Sequence, residues 1–319
     1  MSPCSLPNMP EPVHIPVMLD EVLHWLAPQP GSVFVDGTLG GGGHTRALAE
    51  RVEKDGTVVA LDRDPTAISA AETNLQGLPV KVANASYHEL PEILRQIGVP
   101  RVDGILLDLG LSSDQLADRT RGFSFQSDGE LDLRFDPTEG KPAWHILKYW
   151  TEKQIADAIY KFGEERFSRR IARRVVEVRK TTELISARQL TELVEACVPK
   201  SRDRDRIHPA TRTFQALRIV VNDELGILDK ALKIFPDFLK IGGKLAVISF
   251  HSLEDRPVKT IFRDDERYQV LTRRPIRPSE EEVHRNPRSR SARLRVAQRA
   301  GVKGSGVNCR NGPSGASHN

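Results

Sequence analysis

The chain has 319 residues, 39% of them hydrophobic, a length that favours two cores over one. Its mean hydropathy is −0.40, and no apolar run approaches the roughly 18 to 20 residues that a membrane-spanning helix needs. Three widely spaced cysteines, Cys4, Cys197 and Cys309, argue against a disulfide scaffold or a zinc site and fit a reducing cytoplasm. The net charge is only +4, but it is unevenly spread. Lys161 to Lys180 holds eight Lys/Arg against three acids, and Arg273 to Arg299 holds nine Arg against three acids. Two basic blocks on a balanced chain point to a polyanionic partner; a solvated helix face plus a flexible tail would look the same.

Residues 1–12 carry four prolines and no apolar run, and read as a disordered lead rather than a targeting peptide. Leu19, Val22, Leu23 and Leu26 recur at helical spacing. Ser32 to Asp36 then reads as a first strand, followed by Gly40-Gly41-Gly42-Gly43-His44 and a helix from about Thr45. Thr57 to Asp62 is a second strand, and Asp64-Pro65 a helix start in which the carboxylate caps free amides. Pro79 to Ala83 is a third strand. Gly104 to Leu109, almost wholly apolar, is a fourth, covered on both faces.

After Gln126 the strand signals stop. Thr151 to Gln154 and Ser186 to Gln189 are capping boxes, each leading into apolar residues at helical spacing. Residues 130–207 therefore read as an all-helical insertion, for substrate recognition, within a discontinuous domain over 13–129 and 208–300. His208-Pro209 opens one long helix through Leu232. Lys244 to Phe250 is a fifth strand, and Tyr268 to Arg273 with Arg293 to Gln298 make an antiparallel pair. Residues 301–319, rich in Gly, Ser and Asn, read as a disordered tail.

Such an order of strands implies an open α/β sheet whose ligands bind at the strands' carboxyl ends, where strand order reverses. Four successive glycines let the backbone approach a ligand closely. The dinucleotide fingerprint is absent, because Thr45 or Arg46 stands where its third glycine belongs. Asp62 ends strand two and is placed to accept both hydroxyls of a ribose. Asp108 ends strand four and faces the charged end of a cofactor or the group being modified. His251, after strand five, is a proton acceptor, a substrate hydrogen-bonder or a buried structural histidine. His44, His208 and His284 lack ligand spacing, so no metal is expected. Arg166, Arg169, Arg170 and Arg173, with Arg288 and Arg290, are candidate phosphate contacts.

Several segments taken together resemble one family. They are His14-Ile-Pro-Val-Met-Leu19, Asp36-Gly-Thr-Leu-Gly40 with Gly42-Gly-His44, Leu61-Asp-Arg-Asp-Pro65, and Asp103-Gly-Ile-Leu-Leu-Asp-Leu-Gly110. Arg121-Gly-Phe-Ser-Phe125, Gly163-Glu-Glu-Arg-Phe167, the run His208 to Arg218, Ser249-Phe-His-Ser-Leu-Glu-Asp-Arg256 and Asn286 to Ala292 follow in order. The chain is similar to the bacterial small-subunit (16S) ribosomal RNA cytosine-N4 methyltransferases, the MraW/RsmH family. The resemblance implies a class I S-adenosylmethionine-dependent methyltransferase, Rossmann-like with a mostly parallel sheet and an inserted helical domain. It implies methylation of the exocyclic N4 of a cytidine in the decoding region, acting on ribosomal RNA or a 30S-type particle. It further implies that Gly42, Gly43 and His44 contact the cofactor, Asp62 holds its ribose, Tyr87 lies beside its adenine, and Asp108 and Gln115 complete the pocket. Asp108, with His251 as helper, would be catalytic. The chain departs from the family by having Asp114 and Glu130 where prolines are usual, which implies looser loops at the substrate entrance. A nucleotide-dependent oxidoreductase and a non-catalytic ribosome assembly factor are the alternatives, and either a monomer or a homodimer fits.

Overall fold

The computed structural model describes residues 15–199 and 208–301. The expected lead over 1–12, the tail beyond 301, residues 200–207 at the end of the insertion, and Cys4 and Cys309 lie outside the described residues. Among the described residues no helix is long and apolar enough to cross a membrane.

Seven strands form one sheet: β1 (Val33–Asp36), β2 (Thr57–Asp62), β3 (Val80–Asn84), β4 (Val102–Asp108), β5 (Leu239–Ser249), β6 (Tyr268–Val270) and β7 (Arg293–Arg299). Their order is β3-β2-β1-β4-β5-β7-β6. The first five are parallel, and β7 pairs antiparallel with both β5 and β6. Strand order therefore reverses between β1 and β4, as the sequence predicts. Register makes this place special. Asp36, the last residue of β1, lies opposite Ala60 of β2 and Leu106 of β4. Both neighbours run two residues further, to Asp62 and Asp108. The carboxyl edge thus has a notch about 7 Å deep, with an aspartate at its base and one on each shoulder.

Successive strand residues point to opposite faces, and both faces are covered. Phe34, Val58, Leu106 and Ile248 pack against α1 (Leu19–Leu26) and α2 (Gly43–Val52). Val35, Val59, Ile105, Leu107 and Val247 face the other side, toward α4 (Leu90–Gln96), α11 (Glu224–Phe238) and α12 (Ser252–Asp264). Helix α3 (Pro65–Asn74) is capped by Asp64, whose carboxylate accepts from Thr66 N, with proline in the first turn.

Between β4 and α11 come α5 (Ser113–Ala117), α6 (Ala143–Tyr149), α7 (Glu152–Gly163), α8 (Ser168–Val178), α9 (Ala187–Cys197) and α10 (Thr211–Asn222). Both expected capping boxes form, at Thr151 with Gln154 and at Ser186 with Gln189. These helices share a separate apolar cluster that includes Ile155, Ile171, Leu190 and Val194. Phe214 and Leu217 of α10 belong to it, one helix beyond the expected boundary at 207. Helix α13 (Glu280–Arg285) precedes β7.

Three expectations are corrected. The single long helix from His208 is two helices, because Asp223 takes a left-handed conformation (φ 49°) that ends α10 before α11 restarts. Strand β5 begins at Leu239, ahead of Gly242-Gly243, and a register shift opposite Val102 and Gly104 accommodates the extra residues. β6 stops at Val270 instead of Arg273.

Gly104 illustrates how tightly this sheet is packed. A Cβ there would collide with the Phe34 ring and come within 3.2 Å of Lys244 O. Gly104→Ala should lower stability by about 1–3 kcal/mol in chemical denaturation. Unchanged stability would show that the β1–β4–β5 centre can yield.

Candidate active site

The notch opens into a crevice lined by the bend after β1, the ends of β2 and β4, Tyr87, the starts of α11 and α12, and Asn286 with Arg288. The bend enters the notch as a substitute strand. Gly37 N donates to Leu106 O and Leu39 N to Leu61 O, both at 2.9 Å. Gly37 must lack a side chain, since a Cβ would stand 2.6 Å from Leu107 Cδ2 and 2.9 Å from Tyr87 Cβ. Gly40 (φ 48°) then directs its N–H to Asp62 Oδ2 at 2.9 Å.

Asp36 is spent on structure. It accepts from Thr38 N (3.1 Å) and Thr45 Oγ1 (2.7 Å) and is buried. Asp62 is part-engaged: Oδ2 takes the Gly40 amide and Oδ1 the Asp64 amide, at 2.9 Å each. Burial drives its pKa up to about 6, the two amides oppose this, and the charges of Asp64 and Asp36 add to it. Asp108 is less satisfied. Its Oδ2 lies 3.7 Å from His44 Nδ1, and its buried Oδ1 has no hydrogen-bond partner among the described residues. Burial, then the charges of Asp36 and Glu254, hold this carboxyl well above the usual range. His44 Nε2 donates to Val17 O at 2.9 Å, so the ring is fixed with Nδ1 toward Asp108.

Of the residues expected at a cofactor, Gly43, His44, Asp62, Tyr87, Asp108 and Gln115 are on the crevice wall. Gly42 is not; with φ 79° it turns the chain into α2, its N–H donating to Leu39 O. Gln115 donates to Asp64 Oδ2 at 3.2 Å, and Arg121 Nη1 reaches the same oxygen at 2.5 Å. The Asp114 segment forms a capped turn, Ser112 Oγ accepting from Gln115 N. His251 does not line the crevice; its Nε2 lies 3.0 Å from Glu254 Oε1. Glu254 is on the wall instead, accepting from Phe250 N at 2.8 Å. Arg288 lines the mouth and donates to Ser113 Oγ, while Arg290 is exposed outside it. Arg166, Arg169, Arg170 and Arg173 are exposed at and along α8, away from the crevice wall.

Sequence reasoning missed Arg63, Glu224, Glu254 and Phe250 on the wall. Glu224 opens α11 just past the helix break at Asp223, a residue that is neither glycine nor proline. Arg218 of α10 is bidentate on Glu224 (2.7 and 2.9 Å) and lies 3.8 Å from Glu254. Glu224, His251 and Glu254 bring ligand atoms within 4.8 Å of one another, a spacing a metal ion could use, and the Arg218 guanidinium supplies positive charge there.

Asp62, Asp108, Glu224 and Glu254 thus give the wall four carboxylates against Arg63 and Arg288. Such a site suits a nucleoside that carries positive charge. Asp62 can accept ribose hydroxyls on its remaining lone pairs, the Tyr87 side of the crevice offers an aromatic wall, and the orphaned Asp108 oxygen takes a cationic or N–H donor. The fold and this crevice define a class I S-adenosylmethionine-dependent methyltransferase.

Comparison with known proteins narrows the class. The MraW methylase family model matches residues 11–300, and the chain belongs to that family. It is 51% identical over 300 residues to the ribosomal RNA small subunit methyltransferase H of Rhodopirellula baltica, covering 91% of this chain and 92% of that one. The proteins of the same name from Synechococcus elongatus and Syntrophobacter fumaroxidans are 48% and 46% identical, covering 90% and 91% of this chain and 94% and 97% of theirs.

The raised Asp62 pKa has a definite sign. Its ionised form is disfavoured in the folded protein, so its contribution to stability is full below about pH 3.8 and is lost as pH rises through about 6. A ligand that donates to the ionised carboxylate recovers that loss. Affinity for S-adenosylmethionine should therefore rise with pH through about 6 in calorimetric titrations, and Asp62→Asn should remove that step. A step of the same size in the variant would clear Asp62 of the role.

Proposed function

We propose that this chain transfers the methyl group of S-adenosylmethionine to the exocyclic N4 of a cytidine in the decoding region of small-subunit ribosomal RNA. The observation that carries this reading is the part-buried Asp108 carboxylate at the end of β4, whose buried Oδ1 has no hydrogen-bond partner among the described residues, in the same crevice as Asp62. The names of the relatives support the RNA substrate.

The cytosine amine is a weak nucleophile because its lone pair is delocalised into the ring. Bound S-adenosylmethionine supplies an electrophilic methyl group on a positive sulfur. The protein's part is to aim N4 along the line of transfer and to stabilise the charge that builds on it. Orientation can contribute up to about 7–11 kcal/mol in favourable cases. Asp108 Oδ1 accepts a hydrogen bond from the amine, which orients its lone pair and favours the positive charge appearing as the new N–C bond forms. A carboxyl with an elevated pKa is also a competent acceptor for the proton that N4 then sheds. Ser112, Ser113 and Phe250 border this end of the crevice, and the base leaves its stack to reach it.

Arg288 at the mouth and the arginines of α8 hold phosphates on either side of the target. The helices α6 to α10, with their own apolar cluster, act as the substrate-recognition unit, set between β4 and β5 of the methyltransferase unit. The reaction belongs in the cytoplasm, where its RNA substrate is assembled into subunits. A dinucleotide-dependent oxidoreductase fits less well, since the carboxylates on the wall repel a pyrophosphate.

Asp108→Asn keeps the side chain's shape and removes its charge. Incorporation of labelled methyl into small-subunit particles should fall by about a hundredfold or more, with the protein still folded. Wild-type rates in that variant would take Asp108 out of the mechanism. A wild-type protein that binds the particle yet transfers no methyl would instead favour an assembly factor.

A further inference from the structure

One face of α6 is unusual for a surface helix. Ala143, Ile146 and Leu147 are buried in the helical cluster. The opposite side presents rings and a cation at i, i+4 spacing: Trp144 with Lys148, and His145 with Tyr149. Tyr149 is 59% exposed. The His145 and Tyr149 rings lie 4.5 Å apart, and the Lys148 ammonium stands 5.9 Å from the Trp144 ring and 5.7 Å from the Tyr149 ring. The Trp144 indole N–H donates to Glu130, which fixes the plane of that ring.

Contacts at both ends of this short helix give it a direction. Its first two amides donate to Asp132 O (2.7 Å) and Leu131 O (2.9 Å), in the loop that carries Phe135 into the crevice wall. At its other end Arg179 donates to Leu147 O (2.8 Å) and Trp150 O (2.7 Å). Arg179 directly follows α8, the helix of exposed arginines, and Lys180 comes next. The aromatic face therefore lies on the contact path between the basic helix and the crevice.

Resting on the reading of an RNA substrate, we propose that Trp144, His145, Lys148 and Tyr149 form a stacking platform for unpaired nucleotides of that RNA. Every base has a π-face, so exposed rings bind single strands with little regard to sequence. Lys148 meets the backbone charge while held over the rings. Its present partner, Glu183 at 2.7 Å, is an exposed ion pair that a phosphate can displace.

Tyr149 is exposed and does not line the crevice, which makes it a clean test. Tyr149→Ala in the full chain should weaken binding of a short labelled single-stranded RNA by about 5- to 100-fold. It should raise KM for small-subunit particles by a similar factor and leave kcat unchanged. Tyr149→Phe, which keeps the ring, should match the wild type in both. Wild-type affinity in the alanine variant, or equal loss in the phenylalanine variant, overturns the platform. Loss of single-strand binding in Tyr149→Ala alone, from a wild type that transfers no methyl, would support the platform and reject the methyl-transfer reading.

Discussion

The step in register around β1 is the constraint on which the rest depends. β1 ends two residues before β2 and β4, and that shortfall is what creates a hole at the sheet's carboxyl edge. The glycine bend fills part of it with backbone, using amides that would otherwise be orphaned. What remains is flanked by Asp62 and Asp108 with Asp36 below. Three carboxylates so close in a poorly hydrated place cannot all ionise freely. Asp36 spends its oxygens on hydrogen bonds from Thr38 and Thr45, while burial and neighbouring charges, that of Asp36 included, leave Asp62 and Asp108 with elevated pKa values. The crevice is therefore a stored electrostatic demand for positive charge, and under the proposed function a methylsulfonium nucleoside would meet it.

A second set of interactions ties the helical unit to that demand. The break between α10 and α11 is its junction. The Asn222 side chain donates to Leu133 O (2.7 Å) and accepts from Phe135 N (2.8 Å), and its carbonyl accepts from Arg63 (2.9 Å). Arg218, one turn earlier, clasps Glu224 and reaches toward Glu254. Arg121 joins Asp64 to the carbonyls of Arg134 and Phe135. Ion pairs as far withdrawn from water as Arg218–Glu224, which is part-buried, return little net stability, because desolvation offsets much of their attraction. Their value here is geometric: they fix α10, a member of the helical cluster, against the wall of the crevice. Glu164, at the end of α7, adds a surface contact to Ser252 (2.8 Å) and Arg256 (3.5 Å) of α12.

Much of this was legible in the chain because the signals were local. Apolar runs ending in Asp36, Asp62 and Asp108 marked three strands and their carboxyl ends. Asp64-Pro65 and the two capping boxes marked helix starts through hydrogen bonds that span only two or three residues. What was missed depends on contacts between distant segments. Val221, Leu225 and Leu228 keep helical spacing straight across Asp223, so the break is invisible until Glu224 finds Arg218. The early start of β5 depends on a shifted pairing with β4. Gly42 and Gly43 are adjacent in sequence, yet only Gly43 reaches the crevice, because Gly42 turns the chain. His251 and Glu254 share one segment, and which of them lines the crevice is decided by how α12 leaves the sheet.

A crevice edged by Asp36, Asp62 and Asp108 must select a cationic nucleoside. Parallel calorimetric titration of the folded protein with S-adenosylmethionine and with NAD tests this most directly. Saturable binding of S-adenosylmethionine, with no heat from NAD, is the predicted result. Binding of NAD, or no association with S-adenosylmethionine, would contradict the electrostatic reading of the Asp36, Asp62 and Asp108 edge.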